Sequence, residues 1–194
     1  MPDAAILWNS PLFFENMFKE YGIPAAVFSP ASLTSPHLPP FKLLVVPTGF
    51  TYPERAAVSS ALSDLKIQKK IFDFVESGGV FLMFSPLKEL ATCQACRAPP
   101  VTSLERFGLN AEYVQTDTMI HRSSLLTDDS GSVYCDGYFQ NIGSEFTVIE
   151  TDDNKRPVHI AQNHGKGQII LSAVHEFLSK AYFDSLLFGP KVKL

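Results

Sequence analysis

The stretch Ile71-Phe-Asp-Phe-Val-Glu-Ser-Gly-Gly-Val-Phe-Leu-Met-Phe-Ser-Pro86 decides the fold. Its first apolar residues have helical spacing, and Gly78-Gly79 supplies the positive φ that favours a helix C-terminus. Five apolar residues in a row, from Val80 to Phe84, predict a parallel strand that is buried on both faces. Ligands bind beyond the carboxyl ends of such strands, so Ser85 holds the most informative position in the chain.

Similar segments on both sides of this strand predict the rest of the sheet. Upstream strands are predicted at residues 4–8, 25–28 and 43–46, helices at 12–21 and 51–77 with a break near Asp64, and a loop at 29–40. Downstream, a hairpin is predicted from 146–150 and 157–161, a buried strand at 168–172 and a last helix at 177–187. The alternation predicts a doubly wound, mostly parallel α/β sheet with helices on both faces and an antiparallel hairpin in the C-terminal half.

The composition is that of an ordinary globular domain. The 194 residues are 45% hydrophobic and 19% charged, which fits a single domain over residues 1–194. A net charge of -4 gives no electrostatic reason to expect nucleic acid or an anionic membrane as partner. The N-terminus lacks the pattern of a signal peptide, and no apolar run approaches the roughly 20 residues of a spanning helix. We therefore expect a cytoplasmic protein.

Three cysteines allow a metal or redox interpretation. Cys93 and Cys96 have the Cys-x2-Cys spacing of half a zinc site, which Cys135 and one of His121 or His164 could complete. The second half of such a site lacks paired spacing, so two ordinary loop thiols are the stronger interpretation. A local redox pair of Cys93 and Cys96 is the other alternative. Apart from zinc, the sequence predicts no cofactor.

From residue 111 onward the apolar residues alternate with polar ones, which predicts shorter strands than in the first half. The segment Tyr134-Cys-Asp-Gly-Tyr-Phe139 could be core or could form a patch that faces a sugar or a protein, since aromatic faces suit both. Asp152-Asp-Asn-Lys155 and Gly165-Lys-Gly167 predict tight turns rather than calcium or phosphate sites.

The order of these segments resembles the class I glutamine amidotransferase-like superfamily. The resemblance rests on the central 74–84 segment, on Arg156-Pro-Val-His-Ile-Ala161, on His164-Gly-Lys-Gly-Gln-Ile-Ile-Leu-Ser172 and on His175-Glu176. It is strongest to members without amidotransferase activity, namely the trehalose-utilisation-like proteins, the trimerisation domain of some β-galactosidases and a segment of some biotin ligases. It implies a flavodoxin-like fold over most of the chain.

The resemblance also implies where a reaction centre would lie. Ser85 matches the family's nucleophile and His175 its base, whereas Glu176 comes one residue early for the family's His-Pro-Glu pattern. A nucleophile elbow needs small neighbours and an N–H from the following residue, but Ser85 lies between Phe84 and Pro86. Proline has no N–H, and the loss of one oxyanion donor typically costs about 3 kcal/mol.

Two main hypotheses follow. The first is a non-catalytic domain that binds a partner protein, a second copy of itself or a small sugar-like ligand at the carboxyl edge of the sheet, with Asn9, Gly49, Ser85 and His175 as ligand contacts. The alternative is a hydrolase or amidase that uses Ser85, His175 and Glu176, which requires these side chains to converge.

Overall fold

The computed structural model describes residues 1–8, 13–48, 56–85, 104, 107–121, 132–174 and 178–194. The strands are β1 Ala4–Leu7, β2 Ala25–Phe28, β3 Leu43–Val46, β4 Val80–Phe84, β5 Glu112–His121, β6 Ser132–Gln140, β7 Phe146–Thr151, β8 Pro157–His164 and β9 Gly167–Ser172. The α-helices bounded within these residues are α1 Phe13–Glu20, α2 Ala56–Ser63, α3 Leu65–Glu76 and α4 Lys180–Leu186. The predicted loop after β2 contains a 3-10 helix, Pro30–Thr34.

Seven strands form one sheet in the order β2-β1-β3-β4-β9-β8-β7. The first five are parallel, whereas β8 pairs antiparallel with β9, and β7 with β8. The order of the five parallel strands is that of a flavodoxin-like doubly wound sheet. The predicted fold class is confirmed, including the predicted hairpin, which β7 and β8 form.

The helices cover both faces of the sheet. Phe84 of β4 contacts Phe14 of α1, whose neighbour Phe18 in turn contacts Phe183 of α4. Phe81 points to the opposite face, since side chains alternate along a strand, and it stacks on Phe107. Phe72 of α3 contacts the same Phe107 ring. The apolar run of β4 therefore reflects burial on both faces.

The break near Asp64 and the two-glycine turn are both present. Asp64 caps α3, because its side chain accepts a hydrogen bond from the Lys66 N–H at 2.7 Å. Gly78 has φ +115°, and Gly79 lies so close to Phe74 that a Cβ would meet that ring at 2.3 Å. A Cβ on Gly167, the first residue of β9, would lie 2.0 Å from the Gly79 carbonyl oxygen. Two turns that are distant in sequence thus pack backbone against backbone.

The expectation of shorter strands after residue 111 is wrong. β5, with 10 residues, and β6, with 9, are the longest strands described, and they form a separate two-stranded antiparallel sheet, which we call the ribbon. The alternation of buried and exposed residues in β6 continues over the whole strand because the ribbon packs one face on the core. A bulge between Gln115 and Thr118 shifts the register of the two strands by one residue.

None of the described helices is long and apolar enough to cross a membrane.

Candidate functional site

Ser85 follows β4 directly and lies at the carboxyl edge of the sheet. Its backbone N–H donates to the Ser172 carbonyl at 2.7 Å, which extends the pairing of β4 with β9 by one residue. Its φ is +38°, in the left-handed region that non-glycine residues rarely adopt. A sharp turn of this kind after a strand is what a nucleophile elbow requires. The side chain, however, belongs to a residue that is only 1% exposed.

The hydroxyl of Ser85 is hydrogen-bonded to a carboxylate of the ribbon. It donates to Oδ2 of Asp136 in β6 at 3.0 Å, and the Thr48 hydroxyl, which follows β3, reaches the same oxygen at 3.4 Å. The backbone N–H of Asp136 donates to the Ala173 carbonyl just after β9. One residue of the ribbon therefore joins the carboxyl ends of β3, β4 and β9.

A buried tyrosine completes this polar cluster. Tyr113 of β5 packs its ring over Gly137, where a Cβ would come within 2.7 Å of the phenol oxygen. Burial raises the pKa of Tyr113 well above its ordinary value, the Ser85 hydroxyl acts in the opposite direction, and the Asp136 charge adds to the increase. Although its hydroxyl lies beside Ser85, no described acceptor meets it with hydrogen-bond geometry. The raised pKa keeps the Tyr113 phenol protonated.

The ribbon is held in place by its apolar face. Five of its side chains are at most 4% exposed: Tyr113, Ile120, Val133, Cys135 and Phe139. Burial of each such side chain contributes about 1.5–3 kcal/mol, so lifting the ribbon would cost on the order of 10 kcal/mol, comparable to the whole stability of a domain. The ribbon is a permanent part of the carboxyl edge rather than a lid.

The structure describes only part of the predicted site. Ser85 lies where the sequence places it, but its described partner is Asp136, which the prediction did not include. Asn9, Gly49, His175 and Glu176 lie outside the described residues. Val174, the residue before His175, forms an isolated antiparallel bridge with Cys135 of the ribbon. The convergence of Ser85 and His175 therefore stays a prediction.

The same holds for the metal and redox interpretations, because Cys93 and Cys96 lie outside the described residues. Cys135 is a buried free thiol. Burial and, to a smaller extent, nearby carboxylates raise its pKa to about 12, which opposes the thiolate form that binds zinc. Among the described side chains, no three His, Cys, Asp or Glu residues come close enough to hold a metal ion.

The sequence does contain a signal for Asp136. Within Tyr134-Cys-Asp-Gly-Tyr-Phe139, an acidic residue and a glycine interrupt an aromatic, strand-like segment without forming a turn. Asp136 accepts the hydrogen bond from the Ser85 hydroxyl, and Gly137 leaves room for the Tyr113 ring. From the sequence, the segment could belong to the core or to an exposed aromatic patch. Its contact with Ser85 joins residues that are 51 positions apart, and local sequence patterns do not encode such a contact.

Comparisons with known proteins support the fold. No family model matches the chain, and no curated protein does. A mutant of the GH42 β-galactosidase Gan42B from G. stearothermophilus superposes with a TM-score of 0.59 and 16% identity, over 96% of this chain and 30% of that one. This chain thus spans less than a third of that enzyme.

Two further structures match over nearly their whole length. PurLQS from Thermotoga maritima has a TM-score of 0.56 and 13% identity over 96% of this chain and 98% of that one. A protein described as a GMP synthase subunit, from Thermoplasma acidophilum, has a TM-score of 0.53 and 10% identity, over 96% and 93%. The fold is therefore shared with PurLQS, with the GMP synthase subunit and with part of a β-galactosidase.

Proposed function

We propose that this chain is a non-catalytic amidotransferase-like domain that binds a partner at the carboxyl edge of its sheet. The observation that carries the proposal is the state of Ser85, whose hydroxyl is buried and donates to Asp136. A serine nucleophile needs a path for the substrate, a base that takes its proton and a donor for the oxyanion. Burial opposes the first of these, and the proline at position 86 removes the usual donor.

The ribbon supports a role in binding. Because it bonds to the residues that follow β3, β4 and β9, it fills the part of the crevice in which ligands of open α/β sheets usually sit. A partner at this edge would then contact the solvent-facing side of the ribbon rather than the buried elbow. A protein surface, whether of another protein or of a second copy, fits this arrangement better than a small sugar-like ligand; all three were open from the sequence.

The proposal is tested with a fluorophosphonate probe, which labels activated serines. We expect no labelling of the native chain, and no ammonia release from glutamine above the background of the Ser85→Ala variant. A Ser85→Cys variant should show no more iodoacetamide-reactive thiols than the parent chain until it is denatured, because the side chain at this position is buried. Labelling of the native chain that Ser85→Ala abolishes would overturn the proposal.

A hydrolase or amidase using Ser85, His175 and Glu176 is the second candidate. The left-handed φ of Ser85 favours it, since inert serines rarely adopt this strained conformation. This candidate predicts hydrolysis of a p-nitrophenyl ester that both Ser85→Ala and His175→Ala abolish. Loss in only one of the two variants would exclude the pair as a catalytic unit.

A further inference from the structure

The strand β2 forms one lateral edge of the seven-stranded sheet, and no described strand pairs with its outer side. The carbonyls of Pro24 and Phe28 accept hydrogen bonds from N–H groups in and beside β1. Backbone groups of successive residues point to opposite sides of a strand, so the N–H and C=O groups of Ala25 and Val27 point outward. These outward groups are the donors and acceptors that a further strand would use.

The outer side of β2 lacks features that usually discourage such pairing. The strand Ala25-Ala-Val-Phe28 contains no charged residue, and each of its residues is partly exposed. At the opposite edge of the sheet, two register irregularities interrupt the pairing of β7 with β8, and bulges of this kind oppose the addition of another strand. Of the two edges, β2 is therefore the one that can accept a further strand.

One side of α1 lies beside this edge. An open cleft is lined by three residues of the helix and three at the start of β2: Glu15, Asn16, Lys19, Ile23, Pro24 and Ala25. Glu15 and Lys19 are exposed and one helical turn apart, but neither forms an ion pair in the described part of the chain. An acidic and a basic side chain, each without such a partner, thus lie beside the outer side of β2.

A second copy of the chain fits this edge because the edge is complementary to itself. We consider antiparallel pairing about a two-fold axis that passes through Ala26, perpendicular to the sheet. Ala25 of each copy then lies opposite Val27 of the other, and the two residues exchange both of their outward hydrogen bonds. Ala26 faces its own counterpart in a non-hydrogen-bonded pair, where the backbones approach most closely and a methyl group fits.

The same axis pairs the charges of α1. The helix runs antiparallel to β2, because it connects two parallel strands, β1 and β2. Met17 and Ala26 each lie about 6 Å along their element from the turn that joins α1 to β2, so the axis passes at the level of Met17. Glu15 and Lys19 lie two residues before and two after Met17. Glu15 of one copy therefore comes opposite Lys19 of the other, and the reverse.

We propose that two copies of this chain pair through their β2 edges, with the β2 strands antiparallel and the α1 helices side by side on one face of a continuous sheet. The inference goes beyond the proposed function, since this lateral edge is distinct from the carboxyl edge. Because β2 has only four residues, the contact is small, and the dimer dissociates on dilution.

Sedimentation equilibrium of the full chain measures this association. We expect the mass to rise from that of one chain towards that of two between about 1 and about 100 μM, the concentration range of a small, weak interface. Val27→Pro removes an outward N–H and keeps the bonds to β1, so it should abolish the dimer while the far-UV circular dichroism stays unchanged. A native chain that is monomeric at every concentration would overturn the inference.

Charge reversal tests whether the occupant is a second copy. Glu15→Lys and Lys19→Glu should each weaken self-association at least about tenfold, because like charges then face each other across the axis. An equal mixture of the two variants should associate again as a heterodimer, since one copy carries two cations and the other two anions. Asp73→Lys and Lys69→Glu make the same changes of charge on α3, which packs on β4, β8 and β9, so they should leave the dimer unchanged.

Three results of the charge variants would also overturn the inference. They are a dimer that survives both reversals in α1, a dimer that the α3 variants weaken equally, and a mixture of the two α1 variants that stays monomeric. None of these results bears on the reactivity of Ser85, which tests the proposed function separately.

Discussion

Two contributions to the stability of the fold oppose each other at Ser85. Its left-handed backbone is unfavourable for a residue with a Cβ, whereas its bond to the Asp136 carboxylate is favourable. The sequence predicted the position of this residue but not its conformation or its partner. The position of Ser85 could be predicted because it directly follows the five apolar residues of β4. Its partner, Asp136, belongs to a strand that is distant in sequence, so local patterns do not indicate it.

Substitutions can separate these two contributions. Ser85→Ala removes the hydrogen bond and keeps the strain, so we expect a loss of about 1–2 kcal/mol in the free energy of unfolding. Ser85→Gly removes both, and we expect it to be more stable than Ser85→Ala by about 1 kcal/mol, because glycine adopts positive φ readily. Urea denaturation measures the difference. An alanine variant as stable as the glycine variant would show that the backbone at this position is unstrained.

Two buried tyrosine hydroxyls provide a second comparison at this scale. The Tyr182 hydroxyl shares a hydrogen bond with Nε2 of His159, a fully buried imidazole whose Nδ1 has no partner in the described structure. The Tyr113 hydroxyl lacks a described partner altogether. The energetic consequences of removing the two oxygens should therefore differ in sign.

We expect Tyr182→Phe to lower the free energy of unfolding by about 1–3 kcal/mol, because it leaves the buried imidazole without any partner. Tyr113→Phe should be neutral or stabilise the fold by up to about 1 kcal/mol, since it removes an unpaired buried polar group. Thermal and urea unfolding of the two variants beside the parent chain measure both effects. Destabilisation by Tyr113→Phe similar to that of Tyr182→Phe would indicate that the Tyr113 hydroxyl is bonded in solution.

At the level of elements, the buried carboxylate of Asp152 joins the β7–β8 hairpin to Thr118 of the ribbon. Asp152 accepts hydrogen bonds from the Arg156 side chain at 2.7 Å and from the Thr118 hydroxyl of β5 at 2.7 Å. The carboxylate has no exposed area, whereas the Arg156 side chain is one-third exposed. The sequence predicted a turn at Asp152 correctly, but this second role depends on β5, whose bounds the sequence did not predict.

We expect Asp152→Ala to destabilise the chain by about 2–3 kcal/mol, since it leaves Thr118 and Arg156 without their shared acceptor. The matched control is Asp73→Ala, which breaks the exposed Lys69–Asp73 pair of α3 and should change stability by less than about 0.5 kcal/mol. Urea unfolding midpoints of the two variants are compared. Similar small effects would mean that Asp152 does not help to hold the ribbon.

For the whole molecule, the sequence predicted what depends on local patterns. Apolar runs predicted β3 and β4, and Asp64 predicted the break between α2 and α3. The glycines at residues 165–167 predicted the turn between β8 and β9. The position and length of the ribbon were not predictable in this way, because an alternating pattern specifies a half-buried strand but not the surface on which it packs. The single domain and the cytoplasmic location stay predictions.

The stability of the whole chain should fall in acid. Complete burial lowers the pKa of His159 from 6.5 to about 3, so the unfolded chain takes up a proton that the folded chain refuses. Stability from this group is fully present above pH 6.5 and decreases below it, by up to about 1.4 kcal/mol per pH unit. Asp152 acts in the same direction at lower pH: burial alone would raise its pKa, but the bonds from Arg156 and Thr118 outweigh burial and lower it.

The measurement is the urea midpoint between about pH 7 and pH 4. The double variant His159→Leu/Tyr182→Phe replaces the buried polar pair with apolar groups, so it should show a flatter profile than the parent chain. Parallel profiles would indicate that the imidazole is not buried in its neutral form.

The contact between the turns at Gly79 and Gly167 constrains any recombination of this fold with a related one. Since the Gly79 backbone leaves no room for a Cβ at position 167, a loop grafted from another protein that carries a side chain there would clash with the native turn at Gly79. Chimeras should therefore exchange both turns together, and single crossovers between them should yield insoluble protein.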